Sequence, residues 1–205
     1  MNENLSKYAA FFGRQADIVL QPDATTPNSC YAYRFPPAQS GFLRQFFTPL
    51  RHSCVYITDG MSTFDMTIPS ELQKTYPKRI ELLACTKTPI TGGIDNQDIV
   101  TRLLQVLTST VFRLKTFVGP LQTVDLGEKM CPNSEMTGFF FGVADGIDMT
   151  RLCRCSQAAQ LVVSVMPITP GEMKMVKEKG PATLISGFER EGVENIFDPF
   201  RNSIA

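Results

Sequence analysis

Residues 52–62 read HSCVYITDGMS, and the fold class turns on how they are read. Cys54, Val55, Tyr56 and Ile57 are the β-branched, aromatic and thiol side chains that pack well on a pleated surface, so 52–58 reads as a strand. Asp59-Gly60 then breaks it, because Asp bonds its own backbone in turns and Gly tolerates the left-handed conformation. Beyond the break, Phe64, Met66 and Ile68 alternate, and Ser62 to Thr67 is expected to continue as a hairpin partner or a sharply bent strand.

Working outward, RIELLAC at 79–85, MTGFFFGV at 136–143 and AQLVVSVM at 159–166 are further strands, with 30–35 and 121–126 as weaker ones. Helical spacing marks 4–13 through Leu5, Tyr8, Ala9 and Phe12. A longer helix over 96–116 carries the stripe Val100, Leu103, Leu104, Leu107, Val111 and Leu114, with Asp95 as its cap and Asp98 favourable to its N-terminus. Thr169-Pro170-Gly171-Glu172 is a capping box with Pro at the first helical position. It opens a helix to Lys179, with Met173 and Val176 facing the core, and Pro181 starts another that ends at Gly192. Residues 193–205 read as extended. Strands are grouped rather than alternating with helices, so the class is α+β. The sheet is expected to be central, mixed or largely antiparallel, and flanked by helices. With no linker or repeat, 1–205 reads as a single domain.

Composition narrows the function. The 205 residues are 43% hydrophobic and 20% charged, with a net charge of zero, and so lack the basic excess expected of a nucleic-acid or membrane-surface binder. No apolar run nears the roughly 20 residues that span a bilayer. The start MNENLSKYAAFFGRQ does not read as a secretory signal, which makes the cytoplasm the expected location.

Catalytic patterns are sparse. His52 is the one histidine, and there is no Gly-x-Ser-x-Gly elbow and no phosphate-cradling glycine motif. Asp145 and Asp148 around Gly146 lack calcium-loop spacing and read as an exposed turn. Asp59, Asp65 and Asp125 stand near strand ends and could converge as a carboxylate site. Of six cysteines, only Cys153 and Cys155 lie close, flanked by Arg151 and Arg154. They read as structural thiols, with a redox or metal role as the alternative. No cofactor is expected.

One set of residues, taken in order, resembles a family. Thr58-Asp59-Gly60-Met61-Ser62 after its strand is similar to a "T-x-G-M-S" segment, and Glu81-Leu82 to an "E-L" strand. Gly119-Pro120 stands in the place of a small Gly-containing turn. Pro167-Ile168-Thr169 through Glu172 resembles a "P-I/L-T/Y-x-x-E" strand-to-helix corner, and Lys179-Gly180, Leu184-Ile185 and Asp198-Pro199-x-Arg201 complete the order. Together they resemble the suppressor-of-fused-like domain in its bacterial single-domain form, over about 30–205. Tryptophans common in that family are missing, and 36–50 and 153–155 have no counterpart in it. The resemblance implies non-catalytic protein binding, with an immunity-type protein neutralising a toxin domain as one form. The alternative is a small hydrolase-like enzyme using carboxylates or a cysteine thiol. Expected contact residues are Asp59, Met61 and Asp65 at the turn, Phe42 and Phe46 in the aromatic segment, and Lys174 and Lys177 on the helix after the capping box.

Overall fold

In a computed structural model, described over residues 3–22, 28–37, 53–92, 97–143, 147–156 and 158–205, the strand at 54 is the third of a seven-stranded sheet. In chain order the elements are α1 (Glu3–Phe12), β1 (Ile18–Leu20), β2 (Tyr31–Phe35), β3 (Cys54–Asp59), β4 (Ile80–Thr86), β5 (Thr91–Gly92), β6 (Gln97–Asp98), α2 (Ile99–Arg113), β7 (Thr123–Asp125), β8 (Gly138–Gly142), α3 (Met149–Cys153), β9 (Leu161–Ile168), α4 (Pro170–Lys179) and α5 (Pro181–Glu191). The sheet order is β1-β2-β3-β4-β9-β8-β7, and β5 and β6 form a separate two-stranded ladder ahead of α2.

Every neighbouring pair in the large sheet is antiparallel except β4 and β9, which run parallel with Ile80 opposite Leu161 and Leu83 opposite Ser164. The mixed sheet expected from the sequence is therefore two antiparallel meanders joined at one parallel seam. Strands β3 and β4 are buried along their whole length, which explains why both read as near-continuous apolar runs.

Helices cover both faces. On one, Val100, Leu104, Leu107 and Val111 of α2 pack on Cys54, Tyr56, Leu82, Ala84, Phe139, Phe141, Val163 and Val165. Their spacing of four, three and four residues keeps them on one side of the helix. On the other face, Tyr8, Phe11 and Phe12 of α1 and Leu152 of α3 cover Tyr33, Phe35, Val55, Ile57, Leu83 and Val162. Beside them, Met173, Leu184 and Phe188 of α4 and α5 cover Phe140, Met166 and Ile168.

Some sequence expectations change. Residues 62–67 form no strand. Met61–Thr63 is a 3-10 turn, and the alternation beyond it buries Met66 and Ile68 without a ladder partner while Phe64 stays exposed. Helix α2 is capped by Asp98, whose carboxylate accepts from the Thr101 amide at 3.0 Å, and Asp95 lies outside the described residues. Leu114, placed on the core stripe by its spacing, is 63% exposed because the helix ends before it. The short β1 and α3 add to the expected elements, and 193–205 carries no strand. The capping box at Thr169 and Glu172 forms as read, with Met173 buried and Val176 packed beside it.

Candidate functional site

The corner after β3 is built around one buried carboxylate. The β3–β4 ladder closes at Ile57 and Leu83, and beyond it the side chain of Glu81 turns under the corner, fully buried. Its Oε1 accepts from the Gly60 amide (3.1 Å), the Ser62 amide (3.0 Å) and the Ser62 hydroxyl (2.6 Å), while Oε2 accepts from the Thr58 hydroxyl (2.6 Å). Thr58 in turn accepts from the Leu82 amide at 2.8 Å, so its side chain replaces a missing ladder bond. Gly60 sits at φ 106°, where a Cβ would be strained. Burial raises the Glu81 carboxyl above its ordinary value, and the Ser62 and Thr58 donors pull it partly back.

Asp59 ties the corner to the N-terminal helix. It accepts from Asn4 Nδ2 (2.8 Å) and from the Tyr33 hydroxyl (2.9 Å). Asp59 and Met61, expected on a contact surface, are 2% and 1% exposed. Their side chains shape the corner from inside. The exposed member is Asp65, which pairs with Arg79. That hydrogen bond holds its carboxyl below the usual range. Lys174 and Lys177 are exposed on α4, and Phe42, Phe46 and His52 lie outside the described residues.

The three aspartates do not converge. Asp59 is buried with its own donors. Asp125 is exposed at the far edge of the sheet, four strand spacings or roughly 19 Å from β3, where it accepts from the Gly127 amide. All six cysteines are free thiols. Burial pushes Cys30 and Cys85 up to about 12 and raises Cys153 and Cys155 too, with Arg151 and Lys7 countering only in part at Cys155. Raised values disfavour the reactive thiolate. Among the described residues, no three metal-ligating side chains cluster.

What the corner does present is aromatic and basic. Phe64, 38% exposed, meets Phe112 at the end of α2 edge-on, with ring centroids 5.5 Å apart, and Tyr76 packs on Phe117 at 5.2 Å. Gly119 allows this approach, since a Cβ there would come within 2.5 Å of the Tyr76 ring. Close to these rings in the chain are the exposed Lys74, Lys78, Arg79 and Lys115 and the exposed acids Asp65 and Glu71, of which Arg79 and Asp65 pair with each other. In the sequence Phe64 shows only as an alternating position after the turn, and Phe112, Tyr76 and Phe117 carry no signal, because each pair forms only in the fold.

A second buried carboxylate anchors the opposite end. Glu172, fully buried, is gripped by Arg201 Nη1 (2.6 Å) and Nη2 (2.7 Å) and accepts from the amides of Thr169 (2.9 Å) and Ile204 (3.1 Å). Arg201 also donates to the Pro167 carbonyl and lies over the Phe188 ring. The pair straps the C-terminal tail across α4 and α5.

Known proteins share this architecture. A suppressor of fused homologue from Neisseria gonorrhoeae superposes with a TM-score of 0.68 at 13% identity, covering 99% of this chain and 95% of its own. A chain of the Sufu–Fu complex gives 0.63 at 7% identity, covering 98% and 90%. Drosophila Suppressor of Fused gives 0.56 at 12% identity over 86% of this chain, which spans 43% of that protein. At these identities the likeness is one of fold. A search of curated proteins finds no match. The suppressor of fused protein (SUFU) family matches residues 47–202, a span that includes both the Thr58–Ser62 corner with Glu81 and the Glu172–Arg201 strap, and the chain therefore belongs to that family.

Proposed function

We propose that this chain is a non-catalytic protein-binding domain of the cytoplasm that holds its partner at the corner after β3. The observation that carries this reading is the exposed Phe64, held edge-on against the half-buried Phe112 beside a corner whose turn is bonded to Glu81, with exposed Lys74, Lys78 and Arg79 close in the chain. Interface hot spots favour aromatic anchors surrounded by polar side chains, and rim charges tune association rate and partner choice. Likeness to a chain from a complex, Sufu with Fu, supports binding over catalysis. The resemblance to bacterial single-domain relatives supports the narrower form of the proposal, an immunity-type protein that neutralises a toxin domain by covering it. Lys174 and Lys177 belong to a second, more peripheral contact in this reading.

The test is affinity capture of the intact protein from its native cells, read by mass spectrometry beside a Phe64→Ser/Lys74→Glu variant. One stoichiometric partner that the variant loses supports the reading. A partner carrying a toxin domain, with rescue of cells from that toxin by the wild type alone, supports the narrower form. A partner held equally by the variant would move the binding site elsewhere.

A further inference from the structure

Beside α2, on the flank away from Phe64, runs a trough of about 510 Å³. Its first wall is the outward stripe of the helix, where Arg102, Val106, Thr110 and Arg113 follow at steps of four, four and three residues, with Leu114 beyond. Val106 is 47% and Leu114 63% exposed, large apolar side chains with no cover. The second wall is the segment after β7, with Leu126, Lys129 and Met130. That wall is fixed in place: the Leu126 amide donates to the Thr137 carbonyl, the Met130 amide to Met136, and the Ser134 hydroxyl to Pro199.

The charges of the trough are unequal in their freedom. Asp98 is committed to Arg34, to the Tyr56 hydroxyl and to its own helix cap, and Asp125 accepts from the Gly127 amide. Arg102, Arg113 and Lys129 make no ion pair or side-chain hydrogen bond with the described residues, and they stand against two acids without a cation, Glu128 and Asp125, since an amide bond leaves the Asp125 charge in place. Arg102 and Arg113 stand about 16 Å apart at 1.5 Å per residue, with Val106 between them and Leu114 next to Arg113. That is three helical turns, the reach of a short amphipathic helix laid in a groove.

We infer that this trough docks an amphipathic α-helix of a protein partner, its apolar stripe on Val106 and Leu114 and acidic residues at both ends meeting Arg102 and Arg113. The inference rests on the reading of the chain as a protein-binding domain but uses a different surface. Nucleic acid is a poorer fit, since among the described residues that line the trough no aromatic side chain offers a surface on which a base could stack.

The probes are two synthetic helices of about three turns, each with a leucine stripe, one ending in glutamates and the other in lysines. Binding to the intact protein is read by fluorescence anisotropy. The glutamate helix is expected to bind about tenfold tighter than the lysine helix. Arg102→Glu/Arg113→Glu should invert that preference, and Val106→Asp should abolish binding of either helix. Thermal unfolding of each variant, expected to match the wild type because the sites are exposed, excludes loss of fold. Phe64→Ser should bind the helix unchanged, so failure here and failure at the corner read separately. Absence of binding by both helices, equal affinity for both, or binding that survives Val106→Asp overturns the inference.

Discussion

Replacing Arg201 by Met tests whether the C-terminal strap stabilises the fold through charge. Methionine keeps an unbranched apolar side chain but removes the guanidinium that lies over Phe188 and forks onto Glu172, which has no exposure to water. Breaking a buried ion pair on one side costs about 3–5 kcal/mol, because the remaining charge is left uncompensated. Glu172 still accepts from the Thr169 and Ile204 amides, which places the expected loss at the low end, about 3 kcal/mol. For a chain of this length that corresponds to a fall in melting temperature of roughly 6–12 °C. Urea unfolding of wild type, Arg201→Met, Glu172→Gln and the double variant closes a cycle with an expected coupling of about 1–3 kcal/mol. Lys174→Met, on the exposed face of α4, serves as the control and should stay within about 0.5 kcal/mol. If Arg201→Met lost less than about 1 kcal/mol, or the cycle showed no coupling, the strap would be only a surface contact.

Other substitutions probe the corner and the core. Glu81→Leu leaves the buried Ser62 amide and the Gly60 amide without their acceptor and should cost at least about 2–3 kcal/mol in urea unfolding; a change under about 1 kcal/mol would mean that the turn holds itself. The Glu81 carboxyl is raised on folding, so its contribution is full below the ordinary value of 4.5 and is lost as pH climbs through the folded value. The stability of wild type minus that of Glu81→Gln should therefore decline from pH 4.5 upward, and a rise would reverse the assignment. Asp98→Ala removes the α2 cap together with the Arg34 and Tyr56 bonds and should lose about 2–4 kcal/mol by thermal unfolding, against about 1 for a cap alone. The thiols of Cys30 and Cys85 should resist a disulfide reagent at pH 8 until the protein unfolds. Rapid labelling of either in the folded protein would contradict their burial.

The sequence made local order legible and left pairing hidden. The capping box could be read because Thr169 and Glu172 are three residues apart and complete each other within one turn. Strands β3, β4, β8 and β9 announced themselves as apolar runs because they are covered on both faces. By contrast, the Thr58–Ser62 and Glu81-Leu82 segments were both visible, yet nothing local says that one carboxylate serves the whole turn. That bond depends on the β3–β4 register. Asp59 and Met61 were expected as contact residues of the turn, and it is Asn4 and Tyr33 from elsewhere in the chain that allow Asp59 to be buried. Strand β1 is three residues long, too short to show a period, and α3 looked like a turn because only Asp148 caps it. The aromatic corner was invisible because Phe64 and Phe112 meet only after α2 has docked, and the strap because Glu172 and Arg201 meet only after the tail has folded back on α4.

The parallel seam between β4 and β9 has a kinetic consequence. Each meander pairs strands adjacent in the chain, across connections of 10 to 20 residues, whereas the seam joins residues 81 apart, such as Leu83 and Ser164, and closes the longest loop in the sheet. Long closures are slow because chain entropy is lost before any contact is gained. The two halves should therefore acquire hydrogen-exchange protection early and separately, with the amides of β4 and β9 along the seam protected last, as the step that commits the chain to its native topology.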